Sequence, residues 1–139
     1  MKDLHNNIEV RRALSPVSVS ADTPLVSEII DRQGFEALEF AIDLGSIGDA
    51  NVTFTVLVED GDDPTLSDNA AVADSELLGT EAGAAFRYDD DNEVRKIGYR
   101  GHKQYVRMTI TPSGNSGTPS EALLSVLAIL GYPAQKPTV

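Results

Sequence analysis

The side chains of this chain that could do chemistry are mostly acidic, and they are bunched. Asp60-Gly-Asp-Asp-Pro-Thr-Leu-Ser-Asp68 carries four carboxylates, and Asp89-Asp-Asp-Asn-Glu93 carries four more. Hard cations take six to eight oxygen ligands, so Asp60, Asp62 and Asp63 are candidate calcium ligands. The D-x-[DN]-x-[DN]-G order with a glutamate at its twelfth position is absent, however. Asp and Asn also dominate tight turns, where they bond their own backbone. A solvated turn is therefore the favoured reading of both runs, with calcium the minor one. His5 and His102 are the only histidines, and there is no cysteine. A zinc site wants three or four ligands rich in N or S, so no metal is expected from them. Neither histidine has a G-x-S-x-G serine to serve. Ser113-Gly-Asn-Ser-Gly lacks the Gly-Lys-Ser/Thr ending that grips phosphate. No constellation rises to an enzyme, and no cofactor is expected. Tyr99, Arg100, His102 and Tyr105 cluster around one glycine and are candidate interface or glycan contacts. A plain cross-strand tyrosine pair is the commoner meaning of such a spacing.

Those four residues belong to the stretch on which the chain is organised, Val94 to Pro112. Val106, Met108 and Ile110 alternate with Tyr105, Arg107, Thr109 and Thr111, which places them on opposite faces of a strand. Ile97 and Tyr99 continue the β pattern upstream. Arg100-Gly-His-Lys103 breaks the run, and its glycine predicts a hairpin turn. Pro112 ends the second strand, having no N–H for a ladder.

Other elements must cover that hairpin. Val17 to Ser20 reads as a short first strand; Leu25 to Ile30 could be strand or helix, and its β-branched content favours strand. Asp31 to Gly34 is a turn. Leu38, Phe40, Ile42 and Leu44 alternate with Glu39, Ala41 and Asp43, and Val52, Phe54, Val56 and Val58 with Thr53, Thr55, Leu57 and Glu59; the two runs are expected to pair across the loop from Gly45 to Asn51. Ala70 to Leu78 reads as a helical turn or a strand, and Ala84 to Tyr88 as a strand. Ser113 to Pro119 is a loop. Glu121 to Tyr132 is apolar on both parities, which suits a strand buried on both faces or a buried helix; Gly131 and Pro133 at its end and the β character of the rest favour the strand. Short strands joined by Gly, Pro and Asp turns predict an all-β, single-domain β-sandwich, jelly-roll-like or Ig-like, over residues 17–133. Residues 1–16 show no clean period; an extended N-terminal arm lying on a neighbouring molecule through Ile8, Val10, Arg11, Arg12 and Leu14 is favoured over a frayed terminus. Residues 134–139 read as a loose C-terminal tail.

The 139 residues are 41% hydrophobic and 24% charged, which is ordinary for a globular domain. No apolar run approaches 18 residues, so no membrane partner is expected. The opening residues lack the apolar core of a secretory signal. The formal charge is -11, and such a surface repels phosphate backbones, so nucleic acid is not an expected partner. The charge is unevenly placed. Glu59 to Glu93 holds twelve acids and one base, whereas Arg95 to Arg107 holds five bases and no acid. A bipolar chain of this kind can pair with itself, within one subunit or between neighbours.

Several stretches also carry a family resemblance. Met1-Lys-Asp-Leu-His-Asn-Asn-Ile, Ile30-Asp-Arg-Gln-Gly-Phe-Glu, Phe54-Thr-Val-Leu-Val-Glu-Asp-Gly-Asp, Arg95-Lys-Ile-Gly-Tyr and Tyr105-Val-Arg-Met-Thr-Ile-Thr-Pro resemble, in that order, a family of small proteins from tailed-phage and prophage structural-gene clusters. The resemblance spans nearly the whole chain and includes no catalytic motif. It implies a virion structural role, foremost a capsid decoration (cement) protein on the capsid surface, made in the bacterial host cytoplasm. The implied partners are the major capsid protein and further copies of this chain, as a homotrimer. A tail, neck or fibre component, or a carbohydrate-binding module for host attachment, are the alternatives.

Overall fold

The computed structural model describes residues 2–116 and 121–138. Alternating runs form strands here because each strand can then bury one face and wet the other. Six strands are long: β1 (Ile8–Val19), β4 (Phe35–Ile47), β5 (Thr53–Gly61), β9 (Val94–Tyr99), β10 (Tyr105–Ser113) and β11 (Ala122–Pro133). Five are two-residue pieces: β2 (Leu25–Val26), β3 (Ile30–Asp31), β6 (Ala70–Ala71), β7 (Leu77–Leu78) and β8 (Phe86–Arg87). One short helix, α1 (Glu81–Ala84), starts where the Thr80 side chain accepts a hydrogen bond from the Gly83 N–H. Sheet A has the order β1-β11-β4-β9-β7 and sheet B the order β2-β10-β5-β6, with β3 added on β10 and β8 on β5. All pairings are antiparallel. The domain is an all-β sandwich. Leu38, Phe40 and Ile42 with Val126, Ala128 and Leu130 line the inner face of sheet A. Phe54, Val58, Val106, Met108 and Ile110 line that of sheet B.

Strand positions follow the alternation closely, but strand pairing does not. The expected hairpin of β9 with β10 does not form: β9 pairs with β4 and β7, while β10 pairs with β5. Residues 100–104 carry the chain across the sandwich from one sheet to the other. Nor do β4 and β5 pair, since they lie in opposite sheets. A half-buried strand has the same period of two in either layer, so alternation cannot choose between pairing and stacking. Leu25 to Ile30 splits into β2 and β3, both on β10. Ala70 to Leu78 becomes β6, a 3-10 turn and β7.

The termini also differ from expectation. β1 runs through the anticipated boundary at residue 16 and pairs with β11 from Ile8 to Val19. Residues 8–16 are thus an edge strand of the sandwich. Register shifts between Arg12 and Leu14 and between Leu14 and Val17 reset which parity faces inward, which is why no period is visible there. Residues 134–138 are tied down: the Ala134 N–H donates to the Gly34 carbonyl, and the Thr138 N–H to that of Asn6. Residues 117–119 of the expected loop lie outside the described residues.

The crossover at 100–104 is held from below. Arg32 is buried, and its guanidinium donates to the carbonyls of Lys103 (2.7 and 2.9 Å) and Gly101 (3.2 Å). It also lies 4.9 Å from the centre of the Tyr99 ring. Tyr99, only 1% exposed, donates from its hydroxyl to Asp60 (2.6 Å) on the other sheet and accepts from the Lys103 N–H (3.0 Å). Desolvation first, then the Asp60 carboxylate, push the phenol pKa well up. Gly101 is required by proximity: a Cβ there would stand 2.4 Å from the Tyr99 hydroxyl. Tyr99→Phe removes the inter-sheet bond and strands a buried carboxylate. The expected loss is about 1–3 kcal/mol, read as a lower urea midpoint with an unchanged m-value.

Candidate functional site: the outer face of sheet A

The two outer faces of the sandwich differ in chemistry. On sheet B the outward positions of β5 and β10 are Thr53, Thr55, Leu57 and Glu59, and Tyr105, Arg107, Thr109 and Thr111, so that face is largely polar. On sheet A, β11 turns Leu123 (44% exposed), Leu127 (43%) and Ile129 outward. Val10 (51% exposed) lies opposite Ile129, Arg12 opposite Leu127, and Ile8 opposite Gly131. The sequence reading of β11 as buried on both faces is corrected here: one parity is core, and the other meets solvent. That outward parity lies on a strand flanked on both sides by β1 and β4. An exposed apolar patch rimmed by polar residues is a candidate interaction site, and here Ser125 and Asp43 lie among the apolar positions.

Next to this patch the face dips into a groove of about 440 Å³, lined by Ile8, Ala37, Leu78, Ile129, Gly131 and Tyr132 among others. The groove exists because its floor is made of small residues. Gly131 pairs with Ala37, and Gly98 with Glu39. A Cβ on Gly98 would fall 2.6 Å from Glu39 Oε1 and 3.0 Å from Leu78 Cβ, so a side chain there would displace both. Leu78 and Tyr132 (78% exposed) stand up from the surface. Glu39 sits in the groove, and its pKa is raised because burial removes water from the carboxylate; Lys96 offsets part of this.

The residues singled out from sequence divide cleanly. Ile8, Val10 and Arg12 lie on the outer face of sheet A. Arg11 turns inward, pairing with Glu9, donating to the Asp31 carbonyl (2.6 Å) and covering the Phe35 ring. Leu14 packs against the core. Deleting residues 1–14 would therefore strip most of an edge strand and leave most of one edge of β11 unpaired, so the arm cannot be tested by removing it. Tyr99 is a core residue and no surface contact, while Tyr105 is half-buried on sheet B; the two make no cross-strand pair. Arg100 and His102 are exposed on the crossover. Asp60, Asp62 and Asp63 do not converge: Asp60 takes the Tyr99 hydroxyl, Asp62 pairs with Lys103 (2.8 Å), and Asp63 accepts from Thr65. Among the described residues no group of three His, Asp or Glu side chains is placed to hold a metal ion. The acidic and basic stretches meet within the one chain, through Arg107 with Glu59, Lys103 with Asp62, and Arg95 with Glu93 and Asp90.

Missed by sequence reasoning were Leu123, Leu127, Ile129, Leu78, Tyr132 and Glu39. The available signal was β11 itself, whose double-parity apolar pattern fits an exposed adhesive face as well as a covered one.

No family model and no curated protein matches the chain. Solved structures do. The PBSX exported protein XepA superimposes with a TM-score of 0.57 at 11% identity, covering all of this chain, which spans only 42% of the length of that protein. A chain of the cyanophage Pam1 capsid asymmetric unit gives 0.50 at 11% identity, over 96% of this chain and 90% of that one. The SPBc2 prophage-derived protein YomS gives 0.44 at 14%, over 88% and 93%. What is shared is the fold. Among the described residues no helix is long and apolar enough to cross a membrane.

The raised Glu39 pKa has a consequence for stability. The folded protein holds the Glu39 proton more tightly than the unfolded chain does. Its contribution is therefore fully present below the ordinary value of 4.5 and is lost as pH rises through the folded-state pKa. Glu39→Gln, which cannot ionise, is expected to be more stable than the native protein at neutral pH and to converge with it below pH 4.5. Urea midpoints measured across that range check the sign.

Proposed function

We propose that this chain is a virion structural protein of a tailed phage or prophage. In this reading it binds the outside of the capsid through the outer face of sheet A and reinforces the seams between capsomers. The observation that carries the reading is the exposed apolar face of β1 and β11 on an otherwise strongly acidic domain. The likeness in fold to a chain of a phage capsid asymmetric unit supports it, as does the sequence resemblance to tailed-phage structural proteins. A fastener needs a rigid domain and an adhesive face, and it needs no turnover chemistry. Shell expansion pulls capsomers apart, and a bridging molecule resists by keeping apolar area buried. A trimer would add avidity at a threefold seam. The partners in this reading are the major capsid protein and further copies of this chain. We place the protein on the virion surface and assign it no catalytic activity.

The test is co-sedimentation of purified protein with capsid shells that lack it, paired with labelling of intact particles. Leu127→Glu puts a charge in the centre of the face and is expected to weaken shell binding by at least about tenfold, with the melting temperature little changed. Thr109→Glu, on the outer face of sheet B, should bind as the native protein does. Equal binding by both variants, or a label found on the tail, contradicts the proposal.

A further inference from the structure

The groove on sheet A has a chemical character beyond being apolar. It holds a carboxylate and little to satisfy it. Among the described residues, Glu39 makes no side-chain hydrogen bond or ion pair. A half-buried acceptor left unpaired costs free energy that a donor can recover. The walls around it are aliphatic and aromatic, from Ile8, Leu78, Ile129 and Tyr132.

We propose that the groove is a binding site for a lysine or arginine side chain borne on an apolar segment of the partner protein, with Glu39 as its counter-charge. The identification of that partner as a capsid protein rests on the function proposed above; the chemistry of the groove does not. Three features select this occupant. A basic side chain has an apolar stem that can lie along Leu78 and Tyr132 while its head reaches the carboxylate. The poorly hydrated carboxylate gains more from a cation than a solvated one would, because less water is displaced and the local dielectric is lower. The net charge of -11 draws cationic segments towards the surface and repels acidic ones. Lys136, on the rim, and Lys96, whose charge already acts on Glu39, are cations of this chain near enough to compete for the groove.

The test uses the full chain, isotopically labelled and titrated with acetyl-Leu-Lys-Leu-amide and with the same peptide carrying Gln in place of Lys, followed by amide resonances. Backbone signals of Glu39, Gly98 and Gly131 are expected to move with the basic peptide. The Gln peptide should bind more weakly by about tenfold, the scale of one charge-assisted hydrogen bond. Glu39→Gln, which the stability argument expects to fold, should bind both peptides equally, and Lys136→Ala should keep or sharpen the preference. Shifts elsewhere, no binding, equal affinity in the native protein, or a preference that survives Glu39→Gln would each overturn the proposal. If the peptides behave as expected and shells are not bound, only the capsid reading falls. If shells are bound and the peptides are not distinguished, only the groove assignment falls.

Discussion

The guanidinium of Arg32 is the contact on which the rest of the molecule depends. Two sheets stacked face to face are joined by hydrophobic packing, which resists separation but resists sliding far less. Something directional must fix their registration. Arg32 leaves the turn after β3 in sheet B, lies on the ring of Tyr99 in sheet A, and fills its donors with carbonyls of the crossover. Burying a cation is costly unless its donors are met; here the carbonyls of Gly101 and Lys103 meet them, with Phe35 and Glu36 at longer range (3.4 and 3.3 Å). Tyr99 carries the tie onward to Asp60 on β5. The effect reaches the outer surface. Tyr99 and Gly98 are neighbours on β9, one pointing in and the other out, so fixing the tyrosine fixes the floor on which Glu39 and Leu78 meet.

Charge is arranged to leave one face available. The acids of 59–93 and the bases of 95–107 are close in space as well as in sequence, because β10 lies beside β5 and the crossover beside the acidic turn. Much of the bipolar pattern is thus spent inside one chain. The exposed pair of Lys103 with Asp62 adds little stability, but together these pairs cancel the bases locally and leave the net negative charge to the remaining surface. Sheet A's outer face takes a different course: leucine and isoleucine along β11 and valine and isoleucine along β1, with Arg12, Asp43 and Lys96 interspersed and the half-buried Glu39 in the groove beside them. On a domain that is otherwise well solvated, that contrast is what a docking face requires.

Much of this fold was legible in the sequence because burial imposes a period of two. Leu38 to Leu44, Phe54 to Val58 and Val106 to Ile110 could each be assigned a face before any coordinate was known. Pairing could not be assigned, since β9 and β10 would alternate identically whether hydrogen-bonded or stacked. Gly101 misled for a related reason: a glycine between strands signals a turn, whereas this one is small to admit the Tyr99 ring. β1 was hidden by its register shifts, which change parity twice in six residues. Of the candidate site, Ile8, Val10 and Arg12 were found for an incorrect reason, as parts of a free arm. The groove depends on Gly98, Leu78 and Glu39, which three different strands bring together. No local pattern announces that.

The most direct measurement of the central claim is hydroxyl-radical footprinting of the protein bound to its particle against the protein free in solution. The account predicts that Leu123, Leu127, Ile129, Leu78 and Tyr132 become protected, while Leu57, Val26 and Tyr105 on sheet B keep their reactivity. Protection of the sheet B residues with sheet A unchanged would contradict it.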